Sequence, residues 1–545
     1  MTTDSLTVDA VIVGAGFSGL YTMHRLQNDL NLSVVCIDGA SRVGGTWAWN
    51  QYPGAKSDSE SFTYRYSFDQ EFYAKTANWQ RRYVGFREVQ QYFEEFVRHF
   101  GLAEGLRLRT LVTAATWNEA DSRWSIETDA GDTYDAKYLV PALGPLSARK
   151  NPEFGGEDRF RGEIYYASEY PQDASLAGKR VGVVGTGSTG TQIVPAIAAE
   201  VAQLTVLQRS AEWAVPAGDR DVTDEERKEA VANYEQNYRQ LRSSAIAFGF
   251  EESTIKAADV SAEERERIFE DAWNHGGGFY FMYGTFSDIV IDEQANAWAR
   301  EFIAKKIREI VKDPETAERL TPTELYARRP LCQNGYYEAF NLDHVHLVSV
   351  KDNPIEGFVE DGLKLADGTV VALDVVILAT GFDVMDGSYN KIAIRGVDGL
   401  ALRDAWSTGA SCFMGIAAHG FPNMMCVFGP LSAFANNPPL IEAMVDFVTD
   451  LVEHAEQTGA GSIEVRHEAH DRWVAESVEL AETELFSKIE NSWIFGRNVP
   501  GKPNHVLFNF KGLGEIREDF EAERNSGYPS YELAAGDRGV VEGVS

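Results

Sequence analysis

The sequence predicts an α/β fold in which one strand–turn–helix–strand unit occurs twice and a helical segment interrupts the second copy. Three observations predict it. The apolar run Val8 to Val13 ends in Gly14-Ala15-Gly16-Phe17-Ser18-Gly19, and a second run, Val34 to Ile37, ends in Asp38. The pattern returns as Arg180 to Val184, then Gly185-Thr186-Gly187-Ser188-Thr189-Gly190, then Leu204 to Gln208. Residues 222–330 are instead rich in Glu, Lys, Arg and Ala at helical spacing, for example Ser261 to Trp273 and Ala295 to Val311, with Pro314 and Pro322 near the end.

In each G-x-G-x-x-G the first glycine allows the tight turn. The second lets backbone approach a pyrophosphate, and the third lets helix and strand pack closely. The helix N-terminus then faces the phosphates. Asp38 lies nineteen residues after Gly19, and Arg209 lies nineteen after Gly190. A carboxylate at that offset suits free ribose hydroxyls, whereas an arginine suits a 2′-phosphate. The first unit is therefore expected to hold FAD or NAD and the second NADP. The fold reads as two Rossmann-like dinucleotide-binding domains, for FAD and NADP, with an all-helical insertion. Residues 1–145 and 382–545 are assigned to the first domain, 146–221 and 331–381 to the second, and 222–330 to the insertion.

With 545 residues, several cores are expected. A hydrophobic share of 44% and an aromatic share of 12% are those of a globular chain. A net charge of −33 argues against nucleic acid or an anionic membrane as partner. Cys36, Cys332, Cys412 and Cys426 form no C-x-x-C pair, which fits a reducing compartment and buried thiols. His344-x-His346 and His467-x-x-His470 make no convincing metal spacing, so no metal is expected. No signal peptide and no apolar run of bilayer length is visible, so a cytoplasmic protein is expected.

Further along the chain, Gly44 to Asp58 is rich in glycine and aromatics, suiting an irregular loop against a flat ring system. Residues 79–100 read as one amphipathic helix. Gly276-Gly277-Gly278-Phe279 reads as a flexible loop. Arg328-Arg329, before Pro330, reads from spacing alone as a solvated pair. Asp374 to Asp383 is a buried strand and turn, Ile441 to Ala455 a helix, and nothing beyond about Asp519 looks strongly structured.

These units, with Gly44-Gly45-Thr46-Trp47, Ala379-Thr380-Gly381, Arg329-Pro330-Leu331-Cys332 and Ser492-Trp493-Ile494-Phe495-Gly496, resemble type I Baeyer–Villiger monooxygenases, a group of class B flavoprotein monooxygenases, and most closely their cyclohexanone monooxygenase branch. The loop through Asp58 matches one family fingerprint in full. The other, F-x-G-x-x-x-H-x-x-x-W, reads Phe160-x-Gly162-x-x-x-Tyr166-x-x-x-Tyr170, with tyrosine in place of both histidine and tryptophan. Tyrosine carries no positive charge near neutral pH, which puts the coupling of NADPH use to product in question. Arg328 stands where lysine is common.

The resemblance implies an NADPH- and O2-dependent enzyme that converts a ketone, cyclic in type, to an ester or lactone via a C4a-peroxyflavin. It implies Arg329 as the catalytic cation, oriented by Asp58, overturning the solvated reading. It implies cofactor contacts from Gly14, Gly16, Phe17, Ser18, Gly19, Asp38, Gly45, Thr46, Trp47, Asp58, Tyr64 and Val112. It implies further cofactor contacts from Gly185 to Gly190 (with Thr186, Gly187, Ser188 and Thr189), Gln192, Arg209, Ser210, Arg328, Arg329, Thr380 and Trp493, of which Arg209 and Trp493 would help to hold NADP. Pro145, Phe248, Phe279, Phe434, Ala435, Asn437 and Phe508 match positions in or near the ketone pocket. A monomer or weak homo-oligomer is expected. An N- or S-oxygenating monooxygenase and a partly uncoupled NADPH oxidase are the alternatives.

Overall fold

Both glycine-rich turns leave the C-terminal ends of central parallel strands. In the computed structural model, which describes residues 5–535, strand Leu6–Val13 pairs in parallel with Val34–Asp38 on one side and Thr133–Pro141 on the other. Ala10, Val11 and Ile12 are fully buried, as a strand covered on both faces requires. Seven strands form this sheet, in the order Ala393–Arg395, Val112–Asn118, Arg123–Thr128, Thr133–Pro141, Leu6–Val13, Val34–Asp38, Leu106–Leu108. A second, five-stranded sheet is parallel throughout, in the order Val345–Ser349, Gln203–Gln208, Arg180–Val184, Val375–Leu378, Glu163–Tyr166. The chain passes from the first sheet to the second after Pro141 and returns after Leu378.

The close approach at each turn explains the third glycine. A Cβ on Gly19 would lie 1.8 Å from the Gly14 carbonyl oxygen, and one on Gly190 would lie 2.1 Å from that of Gly185. Helices Phe17–His24 and Ser188–Ile197 begin directly above these contacts.

Between strands Ala214–Pro216 and Leu331–Gln333, which pair with each other, lie the helices Asp224–Ala232, Tyr234–Ser243, Ala262–His275, Glu293–Ile310 and Pro314–Leu320. Four of them are started by side-chain caps: Thr223, in a capping box with Glu226, and Ser261, Asp292 and Asp313. Helix Asn437–Thr458 is buried along most of its length and packs against Phe17–His24.

Four readings of the sequence need correction. The helix expected over 79–100 is Phe86–Phe100, because Gly85 is its N-cap and the preceding arginines are tied down in a loop. The loop 44–58 contains a helical turn, Thr46–Trp49. Gly276–Gly278 is not loose: the Gly277 amide donates to the Pro216 carbonyl at 2.8 Å and the Gly278 amide to Cys332 Sγ at 3.1 Å. The segment after Asp519 is ordered too. Helix Leu513–Asn525 stacks Phe520 on Phe447, and strand Tyr531–Ala535 pairs antiparallel with Ala460–Val465. Only Leu513, Ile516 and Phe520 are buried in that helix, too sparse a stripe to stand out in sequence. The remainder of that segment, 536–545, lies outside the described residues.

Gly190→Ala is expected to lower the melting temperature by several degrees, because backbone must move. Gly187→Ala, whose Cβ meets nothing within 4 Å, should leave it unchanged. Thermal unfolding of the two variants without nucleotide separates these outcomes.

Candidate active site

Where the strands of the first sheet end, they border a cavity of about 570 Å³. Gly14, Gly16, Phe17, Ser18, Asp38, Gly45, Thr46, Trp47, Tyr64 and Val112 all line it, as do Pro145 and Asn437. Gly19 lies beneath, in the helix–strand contact. The Asp38 carboxylate accepts from the Ala15 amide and from the Ala40 amide, each at 2.7 Å. One oxygen therefore orders the glycine turn and the other braces the chain just after the strand, and each keeps a lone pair free. Burial raises its pKa, against the lowering effect of the two amides. Trp47 Nε1 donates to the Tyr64 hydroxyl at 3.0 Å, closing one wall.

Behind Tyr64 stands the pair that sequence spacing alone misread. Arg329 meets Asp58 through two parallel bonds, Nε to Oδ2 at 3.0 Å and Nη2 to Oδ1 at 2.8 Å. Both side chains are partly buried, at 31% and 22% exposure. Burial works against the guanidinium charge, but Asp58 outweighs it and the Arg329 pKa is raised. The same guanidinium lies 4.9 Å from the Phe279 ring centroid. Phe279 stacks on Phe248 at 3.7 Å. Beside the neighbouring Cys332 thiol, burial and Asp58 push its pKa up to about 12, so it stays protonated.

The remaining ketone-pocket candidates form a second aromatic group. Phe434 and Phe508 lie 5.7 Å apart, and Trp493 meets Phe508 edge-on at 5.6 Å. Ala435 is buried beside Phe434. None of Phe248, Phe279, Phe434, Phe508 and Trp493 lines the first cavity, whereas Pro145 and Asn437 do. The seven candidates therefore divide between the cavity wall and two aromatic groups.

At the second turn, Gly187 and Ser188 are exposed at the start of their helix, and Thr189 is half-buried. Thr186 Oγ1 donates to the Ser210 carbonyl at 2.7 Å, tying the turn to the next loop. Arg209 is exposed and makes no ion pair among the described residues. Lys150 is a cationic neighbour; burial and then Arg209 lower its pKa. Thr380 Oγ1 donates to the Lys150 carbonyl at 3.2 Å. Two candidates are already engaged elsewhere. Gln192 accepts from the Tyr52 hydroxyl at 2.9 Å and donates to the Lys56 carbonyl at 3.1 Å, linking the two sheet units. Arg328 pairs with Glu212 at 3.2 Å and with Glu324 at 2.5 Å. Burial raises Glu212 to about 7 despite Arg328.

The residues fit nucleotide phosphates. Gly16 and Gly45 approach so closely that a Cβ on Gly45 would lie 2.9 Å from the Gly16 Cα, leaving bare backbone at the cavity floor. Above Gly187 there is open space where a phosphate can meet the helix N-terminus.

A family described as flavin-binding monooxygenase-like matches residues 8–221. A Baeyer–Villiger monooxygenase of Pseudooceanicola batsensis is 47% identical over 96% of this chain and 95% of its own. The phenazine N-monooxygenase PhzNO1 of Lysobacter antibioticus is 45% identical over 99% of each. A crystal structure of cyclohexanone monooxygenase from Rhodococcus sp. Phi1 bound to NADP+ matches with a TM-score of 0.96 at 46% identity, covering 98% of this chain and all of that one. This chain belongs to the Baeyer–Villiger monooxygenase family. It is an enzyme and a flavoprotein. Among the described residues no helix is long and apolar enough to cross a membrane, and no group of three potential ligands could hold a metal ion.

Sequence reasoning missed several residues around the site of this Baeyer–Villiger monooxygenase. Lys56 and Arg81 both pair with Asp219, at 2.6 Å and 3.0 Å, which ties the Gly44–Asp58 loop to the second unit. Arg149 lines the mouth of the first cavity. The consecutive cations Arg149-Lys150, just before Asn151-Pro152, were the available signal. Glu442, on the helix that Asn437 opens, accepts hydrogen bonds from both the amide and hydroxyl of Ser67.

Burial, opposed by Ser67, raises Glu442 from 4.5 to about 7. Its ionisation therefore costs stability: nothing below the ordinary value, progressively more as pH rises toward 7, and a constant amount above. Glu442→Gln should unfold at a higher temperature than the parent at pH 8. The difference should shrink as pH is lowered to about 5. Melting curves across that range check this.

Proposed function

We propose that this enzyme binds FAD in the first cavity and NADPH over the second glycine turn, and that with O2 it converts a cyclic ketone to a lactone. The balance is ketone + O2 + NADPH + H+ → lactone + NADP+ + H2O. The observation that carries the proposal is the bidentate Arg329–Asp58 pair beside the stacked Phe248–Phe279 rings. When bound, FAD supplies a two-electron carrier that NADPH reduces and O2 reoxidises. The chain supplies binding, charge and dryness. Asp58 fixes the direction of the guanidinium, so that it is not spent on other partners. Arg329 then offers a permanent cation where negative charge develops on oxygen, in a site walled by aromatic rings. Arg209, with no ion pair among the described residues, would hold the 2′-phosphate, and Trp493 would help to hold the nucleotide.

On this reading the FAD domain comprises 1–145 and 382–545, the NADP domain 146–221 and 331–381, and the insertion 222–330. Of the nine large exposed apolar side chains among the described residues, Trp49, Leu111 and Leu146 line the cavity and the other six are scattered along the chain, which supports a monomer or weak homo-oligomer. Four free thiols support a cytoplasmic setting.

A second reading is favoured by the similarity to a phenazine N-monooxygenase: oxygen transfer to an aromatic nitrogen, for which the stacked phenylalanines are suited. Purified holoenzyme given NADPH with cyclohexanone or with phenazine, scored for lactone, N-oxide and hydrogen peroxide, separates the two from an uncoupled oxidase. The proposal expects lactone to match the NADPH consumed; N-oxide alone, or peroxide alone with every ketone of a panel, overturns it.

Arg329→Ala should lower lactone formation by roughly 100- to 1,000-fold, the loss typical of one oxyanion donor. Asp58→Ala should lower it less, because the cation remains but wanders. Lactone yield from single turnovers checks the order. Arg209→Ala should weaken NADP+ binding by roughly 10- to 100-fold, the value of a charged hydrogen bond, and leave NAD+ binding unchanged. Titration of both nucleotides checks it.

A further inference from the structure

The two crossings between the sheet units are not independent strands of linker. The Lys150 amide donates to the Gly381 carbonyl at 3.0 Å, the Asp383 amide to Ala148 at 2.7 Å, and the Met385 amide to Pro145 at 3.1 Å. Arg149 and Phe382 form an antiparallel bridge. The crossings thus make one short ribbon, and any rotation of one unit against the other must twist it.

One long side chain leaves the ribbon and reaches the second sheet. The Arg149 guanidinium lies 4.0 Å from the Tyr166 ring centroid. Its Nη1 pairs with Glu169 Oε2 at 2.6 Å, and its Nε donates to Asn151 Oδ1 at 2.9 Å. Tyr166 ends the edge strand Glu163–Tyr166 and sits in register with Leu378, the last residue before the chain leaves that sheet. Glu169 closes the helical turn Ala167–Glu169 that follows. The grip therefore joins the ribbon to the sheet at the exit of the return crossing, beside the cavity mouth that Arg149 and Glu169 both line.

Tyr166 is also one of the two residues that depart from the fingerprint, standing where the pattern has histidine. A tyrosine cannot supply the cation, but it supplies a ring face, and Arg149 supplies the charge from the other side of the contact. The Tyr166 hydroxyl has no hydrogen bond among the described residues, so the ring alone serves the grip.

We propose that Arg149, stacked on Tyr166 and paired with Glu169, is a positioning residue that latches the hinge ribbon to the NADP unit and so sets how much NADPH yields lactone rather than hydrogen peroxide. The wasteful route is NADPH + H+ + O2 → NADP+ + H2O2. A latched NADP unit keeps NADP+ seated over the site and water out; an unlatched one releases it early. The proposal rests on the monooxygenase reading above.

The test uses FAD-loaded full-length protein. Arg149→Met keeps the stem and removes the charge; Tyr166→Leu removes the ring; Tyr166→Phe keeps it. Three quantities are read: the rate of flavin bleaching by NADPH without oxygen, the peroxide formed per NADPH with cyclohexanone and oxygen, and the dissociation constant of NADP+ by absorbance titration. Arg149→Met and Tyr166→Leu are expected to raise the peroxide share at least fivefold and weaken NADP+ about tenfold; in Tyr166→Leu, which does not touch the cavity, bleaching should stay within twofold of the parent. Tyr166→Phe should match the parent in all three. A peroxide share and NADP+ affinity unchanged in Arg149→Met would overturn the latch. A parallel fall in bleaching, coupling and NADP+ affinity in Tyr166→Leu would also overturn it, reducing the contact to scaffolding. If the parent makes no lactone, the monooxygenase reading fails, and the latch is still judged by the NADP+ titration.

Discussion

The structure depends on keeping one guanidinium charged, half-buried and aimed. Arg329 meets that constraint by giving two parallel hydrogen bonds to Asp58, which lies 271 positions away in the chain. An isolated cation in such surroundings is costly, and a bidentate carboxylate lowers that cost while fixing direction. The partners arrive from separate parts of the chain. Asp58 comes from a loop pinned by Lys56 and Asp219, and Arg329 from the end of the helical insertion. Packing of the insertion onto both sheet units thereby determines the geometry of a single ion pair.

The same economy governs the two nucleotide sites. Each is a strand end, a glycine turn and a helix start, differing chiefly in the residue nineteen positions on. Asp38 is folded inward to brace its own turn. Arg209 is exposed and makes no ion pair among the described residues, although carboxylates abound on a chain of net charge −33. The nearby Arg328 has its carboxylate partners in place.

What was legible in the sequence follows from locality. Strands, glycine turns and Asp38 were readable because their determinants lie within some thirty residues. The helical spacing of Ser261 to Trp273 and Ala295 to Val311 was readable for the same reason. Arg329 was not readable from spacing, because its meaning is a contact with Asp58; only the family pattern pointed to it. Gln192 shows a contact that its motif does not announce. Its position in the motif suggests a nucleotide contact, whereas its side chain ties the second unit to Tyr52 and Lys56. The final helix and strand were missed because three buried residues on one face give a weak signal until Phe447 is placed beside Phe520.

The most direct test of the account is isotopic. Holoenzyme is supplied with NADPH and cyclohexanone under 18O2 in unlabelled water, and the lactone is analysed by mass spectrometry. The account predicts one labelled atom per lactone, located in the ring oxygen rather than the carbonyl. Unlabelled lactone, or recovery of all label as hydrogen peroxide with the ketone untouched, would contradict it.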